Sequence, residues 1–380
     1  MCLNPPTPKV QLESARELAS YARELGADVD LLFAWIDVHL GRVKEARVAL
    51  DSHLQRHPDF HWDWGVEAMI LAGSGQKEVA HDWYLATRES MANLEQSNNR
   101  SGAITMAEWA RTQGWESDWP PADWTETDKH ALLLSILKRR PSSPHAHYLL
   151  GAWYARQGRW QEAREAYEKS VALGPRDSLA VECRFHRLAL GGALLQVGDT
   201  IAYRELCRET MQPAMTEGFY QWAARDVALL CCVFDNSGVD IPDVRQMCDK
   251  AVQRSNAHWQ DIIWVKGMLA YRSGKWREAI DALQGWEGGS ELGIVAQYFC
   301  AMAYHREGNQ LEAQKRLKRA EERAAMIVPS FDGPPTDWYE TSMIWSLLQP
   351  IRREAHALID EPAAVKTKDE SSQPSSEKAK

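Results

Sequence analysis

Three histidines, His53, His57 and His61, stand in the stretch HLQRHPDFHWD, which closes on Asp63. On a helix the first two lie one turn apart, and with a carboxylate following, imidazole nitrogens at that spacing suit a divalent metal ion. Pro58 interrupts the helix between His57 and His61, and histidines near a helix end also gain from the helix dipole, so the series reads chiefly as a solvated turn. His145 and His147 precede a helix with no third ligand nearby, which weakens them further as ligands. Cys231 and Cys232 are adjacent and point in different directions on a helix. The seven cysteines contain no C-x-x-C pair and sit mostly in apolar helical patterns, as reduced, packed thiols do. No metal and no cofactor is expected.

Catalytic motifs are missing as well. There is no G-x-G-x-x-G-x-V loop, no H-R-D loop and no D-F-G triplet, and the FDG at 331–333 has the wrong order within a Pro-rich stretch. Neither a phosphate-binding G-x-x-x-x-G-K-S/T loop, an H-E-x-x-H helix nor a G-x-S-x-G elbow occurs. No catalytic residue is assigned, and the chain is expected not to be an enzyme. A net charge of -9 opposes nucleic-acid binding, which draws most of its affinity from neutralised phosphates. The basic runs Lys138-Arg139-Arg140 and Lys315-Arg316 with Lys318-Arg319 read as solvated helix faces or last-turn partners of the dipole.

The N-terminal MCLNPPTPKV carries no apolar leader, and the longest apolar run, Val227 to Phe234, is too short to span a bilayer. A soluble, cytoplasmic protein with no membrane partner is the expectation. With 44% hydrophobic and 26% charged residues the chain can bury a core, and 17 tryptophans imply large packing surfaces, an aromatic groove, or both.

What positions these side chains is a repeat. GRWQEA at 158–163 returns as GKWREA at 274–279, with looser copies GRVKEA at 41–46 and GNQLEA at 308–313. Gly274 and Gly308 are 34 residues apart, as are Gly267 and Ala301, Ala279 and Ala313, and Gly41 and Gly75. In SPHAHYLLGAWYARQGRWQEAREAYEKSVALGP, residues 143–175, apolar positions at helical spacing mark two amphipathic helices, 147–157 and 160–172, with Gly158 between them. Glycine there suits a helix end at positive φ. Gly151 and Ala163 are expected to face each other across the hairpin, and Pro175 to stop the second helix. One hairpin cannot bury its apolar faces alone, so each copy closes a unit that stacks on the next.

Gly151, Tyr154, Gly158, Ala163, Tyr167 and Pro175, in that order and spacing, make this segment resemble a tetratricopeptide repeat. Gly267, Gly274, Ala279, Ala301, Gly308 and Ala313 carry the same signature in two later units. Turns near Gly41, Gly75, Gly114, Gly158, Gly198, Gly238, Gly274 and Gly308 predict about eight TPR or TPR-like hairpins. The expected fold is therefore all-α: an α-solenoid, which the resemblance implies is a right-handed superhelix, with a C-terminal capping helix whose polar face points outward. Residues 1–8 read as a disordered start, 9–142 as a leading helix and N-terminal TPR-like repeats, and 143–326 as further repeats. Residues 327–360 read as a loop and the capping helix, and 361–380 as a disordered tail. The fifth and sixth units depart from the pattern, with Tyr203 or Ala202 at the small-residue position and Pro242 near the start of a helix. The Trp-rich loop at 114–128, with Trp115, Trp119 and Trp124, has two readings: a grip on a partner, or a cap over the seam between neighbouring hairpins.

The resemblance implies that first helices line a concave groove for extended or helical peptides. Carried over position by position, that groove holds Tyr148, Ala152 and Arg156; Trp264, Met268 and Arg272; and Tyr298, Met302 and Arg306. Aromatics, Met and a recurring Arg suit a mixed apolar and acidic peptide. The expected function is a non-catalytic scaffold with protein partners. Residues 144–360 also resemble the TPR regions that follow Ser/Thr kinase or WD40 domains in some large bacterial proteins, which implies a regulatory module acting with a kinase on another chain.

Overall fold

The computed structural model describes residues 9–56, 63–91, 109–110, 113–115, 125–174, 181–216, 221–255, 263–286, 291–327 and 340–360. Among these residues there are 17 helices and no strand. In chain order they are α1 (Lys9–Glu24), α2 (Asp30–His39), α3 (Val43–Arg56), α4 (Asp63–Gly73), α5 (Lys77–Met91) and α6 (Glu126–Arg139). Then come α7 (Pro144–Arg156), α8 (Trp160–Leu173), α9 (Val181–Gln196), α10 (Thr200–Thr216), α11 (Gln221–Val233) and α12 (Ile241–Ser255). The last five are α13 (Ile263–Arg272), α14 (Trp276–Leu283), α15 (Glu291–Arg306), α16 (Gln310–Ile327) and α17 (Glu340–Ile359).

The repeated hexapeptide does two jobs at once. Its glycine ends one helix: Gly158 has φ 70°, its amide donates to the Ala155 carbonyl at 3.0 Å, and the Arg159 amide donates to the Tyr154 carbonyl at 3.0 Å. This paired closure satisfies carbonyls that the helix end would otherwise orphan. The same two bonds form around Gly41, Gly75, Gly274 and Gly308. Its alanine then locks the next helix. The Ala163 amide donates to the Arg159 carbonyl, Ala46, Ala279 and Ala313 repeat that bond, and all four methyl groups are fully buried.

Local caps complete the pattern. Ser143 accepts from the Ala146 amide at 3.2 Å ahead of Pro144, and Thr125 with Asp128 forms a reciprocal box that starts α6.

Within each hairpin, closeness depends on glycine. A Cβ built on Gly151 would sit 2.6 Å from the Tyr167 ring, and one on Gly267 would sit 2.6 Å from Leu283 Cδ2. The room at Gly151 is taken by an aromatic ring one turn beyond Ala163 along the second helix. Tyr203, at the position where the fifth unit departs from the pattern, is buried and donates its hydroxyl to the Leu230 carbonyl of the next hairpin. Large side chain and polar anchor replace small-residue packing there.

Hairpins α2/α3, α4/α5, α7/α8, α9/α10, α11/α12, α13/α14 and α15/α16 stack in sequence, and the first helices α7, α9, α11, α13 and α15 touch one another in turn. They make one wall of the stack. A continuous core runs from Trp64 to Ile359, and a smaller one joins α1 to α4 through Phe33, Leu50 and Ile70. No helix of the described residues is long and apolar enough to cross a membrane.

Candidate functional site

The expected capping helix forms as α17, and it reaches further than an end cap. It packs on α16 and also along that wall of first helices, against α7, α9, α11 and α15. Leu347, Leu348, Ile351, Ala355 and Ile359, on one stripe of the helix, are all buried in the continuous core.

Three features fit α17 to the wall. A Cβ built on Gly192 would meet the Ser346 side chain, with Ser346 Cβ only 2.8 Å away, so α9 presents bare backbone where α17 crosses. Pro350 lies inside α17 and has no amide hydrogen, so it cannot donate to the carbonyl of Ser346, four residues earlier. Gln196 Nε2 donates to that carbonyl from α9, at 3.2 Å. The third feature is Arg272. Its side chain is 3% exposed, and it donates from Nη1 and Nη2 to the two carboxylate oxygens of Glu354 at 2.6 and 2.7 Å.

Arg272 also serves the wall itself. Nε donates to the Cys232 carbonyl at 2.8 Å and Nη2 to the Val233 carbonyl at 3.3 Å, at the C-terminal end of α11 where carbonyls lack helical partners. The guanidinium lies 5.0 Å from the Phe299 ring centroid of α15. Burial alone would lower its pKa, but the Glu354 carboxylate outweighs burial and raises it. One side chain thus ties α11, α13, α15 and α17.

Near the C-terminal end of α17 a second polar cluster centres on Glu321 of α16. It accepts from Tyr298 Oη at 2.8 Å, Arg352 Nε at 2.9 Å and His356 Nε2 at 2.7 Å. His356 Nδ1 lies 2.6 Å from Asp360 Oδ2, so both ring nitrogens face carboxylates, as suits the imidazolium. Burial would lower the His356 pKa, and the bonds to Asp360 and Glu321 prevail and raise it. Burial would raise that of Glu321, and the bonds from Arg352, His356 and Tyr298 prevail and lower it.

The residues proposed for the groove fall as follows. Tyr148, Ala152, Trp264, Met268, Tyr298 and Met302 are buried in the core. Arg156 is mostly buried and donates to Glu126 at 3.3 Å, while Arg306 is exposed, 6.0 Å from the Trp276 ring. Of the three arginines, Arg272 meets α17 through Glu354. Sequence reasoning missed Gly192, Gln196, Glu321 and Glu354. The Gly191-Gly192 pair inside an apolar helix was the available signal for a close crossing.

Among the described residues no group of three metal ligands converges. His53 is buried in α3, and His57 and His61 lie outside the described residues, as do Pro175, Trp119 and Trp124. Trp115 packs at 5.1 to 5.4 Å from His81, Tyr84 and Trp109. In the basic runs Arg139 pairs with Asp82 at 2.8 Å, Arg140 with Asp63 and Glu67, and Lys315 with Glu312.

Residues 144–177 match the tetratricopeptide repeat. The matched segment spans α7, the Gly158 turn and α8, and includes Gly151, Tyr154, Ala163 and Tyr167. A solved structure titled as the P58(IPK) TPR domain aligns with 88% of this chain and 99% of that chain, at 13% identity and a TM-score of 0.23. A score that low does not establish a shared superhelical path. No curated protein matches the chain. The TPR fits the hairpin stack seen on either side of it, and protein partners are the usual business of such stacks. Neither comparison bears on the resemblance to regions behind kinase or WD40 domains.

Proposed function

We propose that this protein is a non-catalytic, cytoplasmic scaffold that holds a helical protein segment on the inner wall formed by α7, α9, α11, α13 and α15. One observation carries the reading: that wall already holds an amphipathic helix, through an apolar stripe and the buried Arg272–Glu354 pair. Such a surface has the apolar centre and satisfied charged contacts of a protein interface. Tyr148, Trp264, Met268, Tyr298 and Met302 support the wall from within the core, and Arg272 is its recognition residue. The acidic balance of the chain weighs against a nucleic-acid ligand. Free, buried thiols at Cys207, Cys231, Cys232, Cys248 and Cys300 suit a reducing compartment.

Affinity capture with the tagged full chain tests this. Specific partners are expected with the wild type and lost with Trp264→Ala combined with Arg272→Ala, provided that circular dichroism keeps its helical form. No specific partner in either preparation would remove the scaffold reading. A second reading, a regulatory module acting with a Ser/Thr kinase on another chain, rests on the sequence resemblance of residues 144–360 and requires a kinase among the captured proteins.

A further inference from the structure

We propose that α17 is an exchangeable occupant of the inner wall. The partner it stands in for is an amphipathic helix with apolar side chains at the spacing of Leu347, Leu348, Ile351, Ala355 and Ile359 and a carboxylate at the place of Glu354. This deepens the scaffold reading and rests on it.

The helix and its seat are coupled. Proline in a helix interior disfavours the isolated helix, because it removes a backbone bond and crowds the preceding turn. In α17 the carbonyl that Pro350 leaves unserved is satisfied from outside, by Gln196 of the wall. Away from the wall that bond is gone and Pro350 weakens the helix, so docking stabilises the helical form of α17. The wall consists of hairpins that pack on their neighbours, and the apolar stripe of α17 joins the same continuous core from one side.

Charge complementarity sets the partner's chemistry. Arg272 is held in place by the Cys232 and Val233 carbonyls whether or not α17 is docked, which leaves Nη1 and Nη2 directed at whatever lies across from them. In this structure both meet Glu354, whose side chain is 30% exposed and reachable from solvent, and Nη1 also lies 3.5 Å from the exposed Asp235 carboxylate just after α11. An oriented guanidinium in a nearly closed site selects a carboxylate that can accept two parallel bonds. Around it the wall is apolar, so the matching helix must bring an apolar stripe to either side of that carboxylate.

A tethered occupant lowers the apparent affinity for any competitor in proportion to the fraction of time the wall is open. Weakening only the resident helix should therefore strengthen binding of a helix supplied in solution.

The test uses the full chain and a fluorescent peptide of residues 340–360, followed by anisotropy. Glu354→Gln in the chain is expected to bind the peptide at least tenfold tighter than wild type, since the peptide keeps the carboxylate that the resident helix has lost. Carrying the same change in the peptide should cancel the gain. A second variant guards against a folding artefact. Gly192→Ala raises the helix propensity of α9 while it crowds Ser346, and it should bind a peptide carrying Ser346→Gly better than the unchanged peptide.

Equal binding by wild type and both variants, or no binding by any, with helical content unchanged, would make α17 a permanent part of the fold and overturn the proposal. Wild-type dimers that trade α17 between copies would assign the seat to a second copy and overturn it too. Peptide exchange without any captured cellular partner would instead count against the scaffold reading. Partners indifferent to Glu354→Gln and Gly192→Ala would leave the scaffold reading standing and sink this one.

Discussion

At Gly267 the absence of a side chain is what lets α13 and α14 meet, because Leu283, fully buried, occupies the space a methyl group would need. Gly267→Ala should therefore destabilise by about 1–3 kcal/mol through overpacking despite its better helix propensity. Ala279→Leu, at a fully buried position in the next helix, should cost a similar amount, about 1–3 kcal/mol. Urea midpoints should fall in both while the slope of the transition stays constant. These small residues were legible from the 34-residue spacing, since the repeat marks which positions stay small. What fills the space at each one was not: the Tyr167 ring lies over Gly151, and spacing along one helix says nothing of which ring leans across from the other.

Among the elements, α17 depends most on solution conditions. His356 lies between Glu321 and Asp360, and Arg352 and Tyr298 share Glu321 with it. Its raised pKa means that the charged form stabilises docking fully below about pH 6.5, the ordinary value for histidine, and that this contribution fades as pH rises through the raised value. Glu321 acts in the opposite sense: with its pKa lowered, its contribution is present above the usual carboxylate range and is lost as pH falls through the lowered value. The protection factors of the α17 amides, taken relative to the intrinsic base-catalysed rate, should accordingly be highest in the weakly acidic range and fall as pH rises above about 6.5. His356→Asn should flatten the alkaline limb while leaving the acidic one. The existence of this helix was legible from its apolar periodicity near residues 337–358. Its seat was not, because an amphipathic pattern shows that a helix is covered on one side without saying by what.

Over the whole molecule, stacked hairpins interact mainly with their neighbours, and the stability of such arrays is close to a sum of unit and interface terms. The α17 crossing changes that, since bonds such as Gln196 to Ser346 join residues 150 positions apart. Residues from α7 onward should therefore unfold more cooperatively than a plain stack would. Arg272→Met removes the bonds to Glu354, Cys232 and Val233 together, and should cost toward the low end of about 3–5 kcal/mol, the range for breaking a buried pair. It should also broaden or split the urea transition followed by circular dichroism, whereas Ala279→Leu should shift it intact. The solenoid could be read from the hexapeptide because both are local and periodic. The long-range crossing could not, because nothing in a 34-residue period refers to a helix that lies over several units at once.

The proline within α17 has one more consequence. It leaves the Ser346 carbonyl to the wall, whereas a guest helix without a proline there would engage one of the carbonyl's two lone pairs in its own ladder and offer Gln196 the other. Gln196 can therefore hold either kind of helix, and admission to the wall rests on the apolar stripe and the carboxylate that meets Arg272.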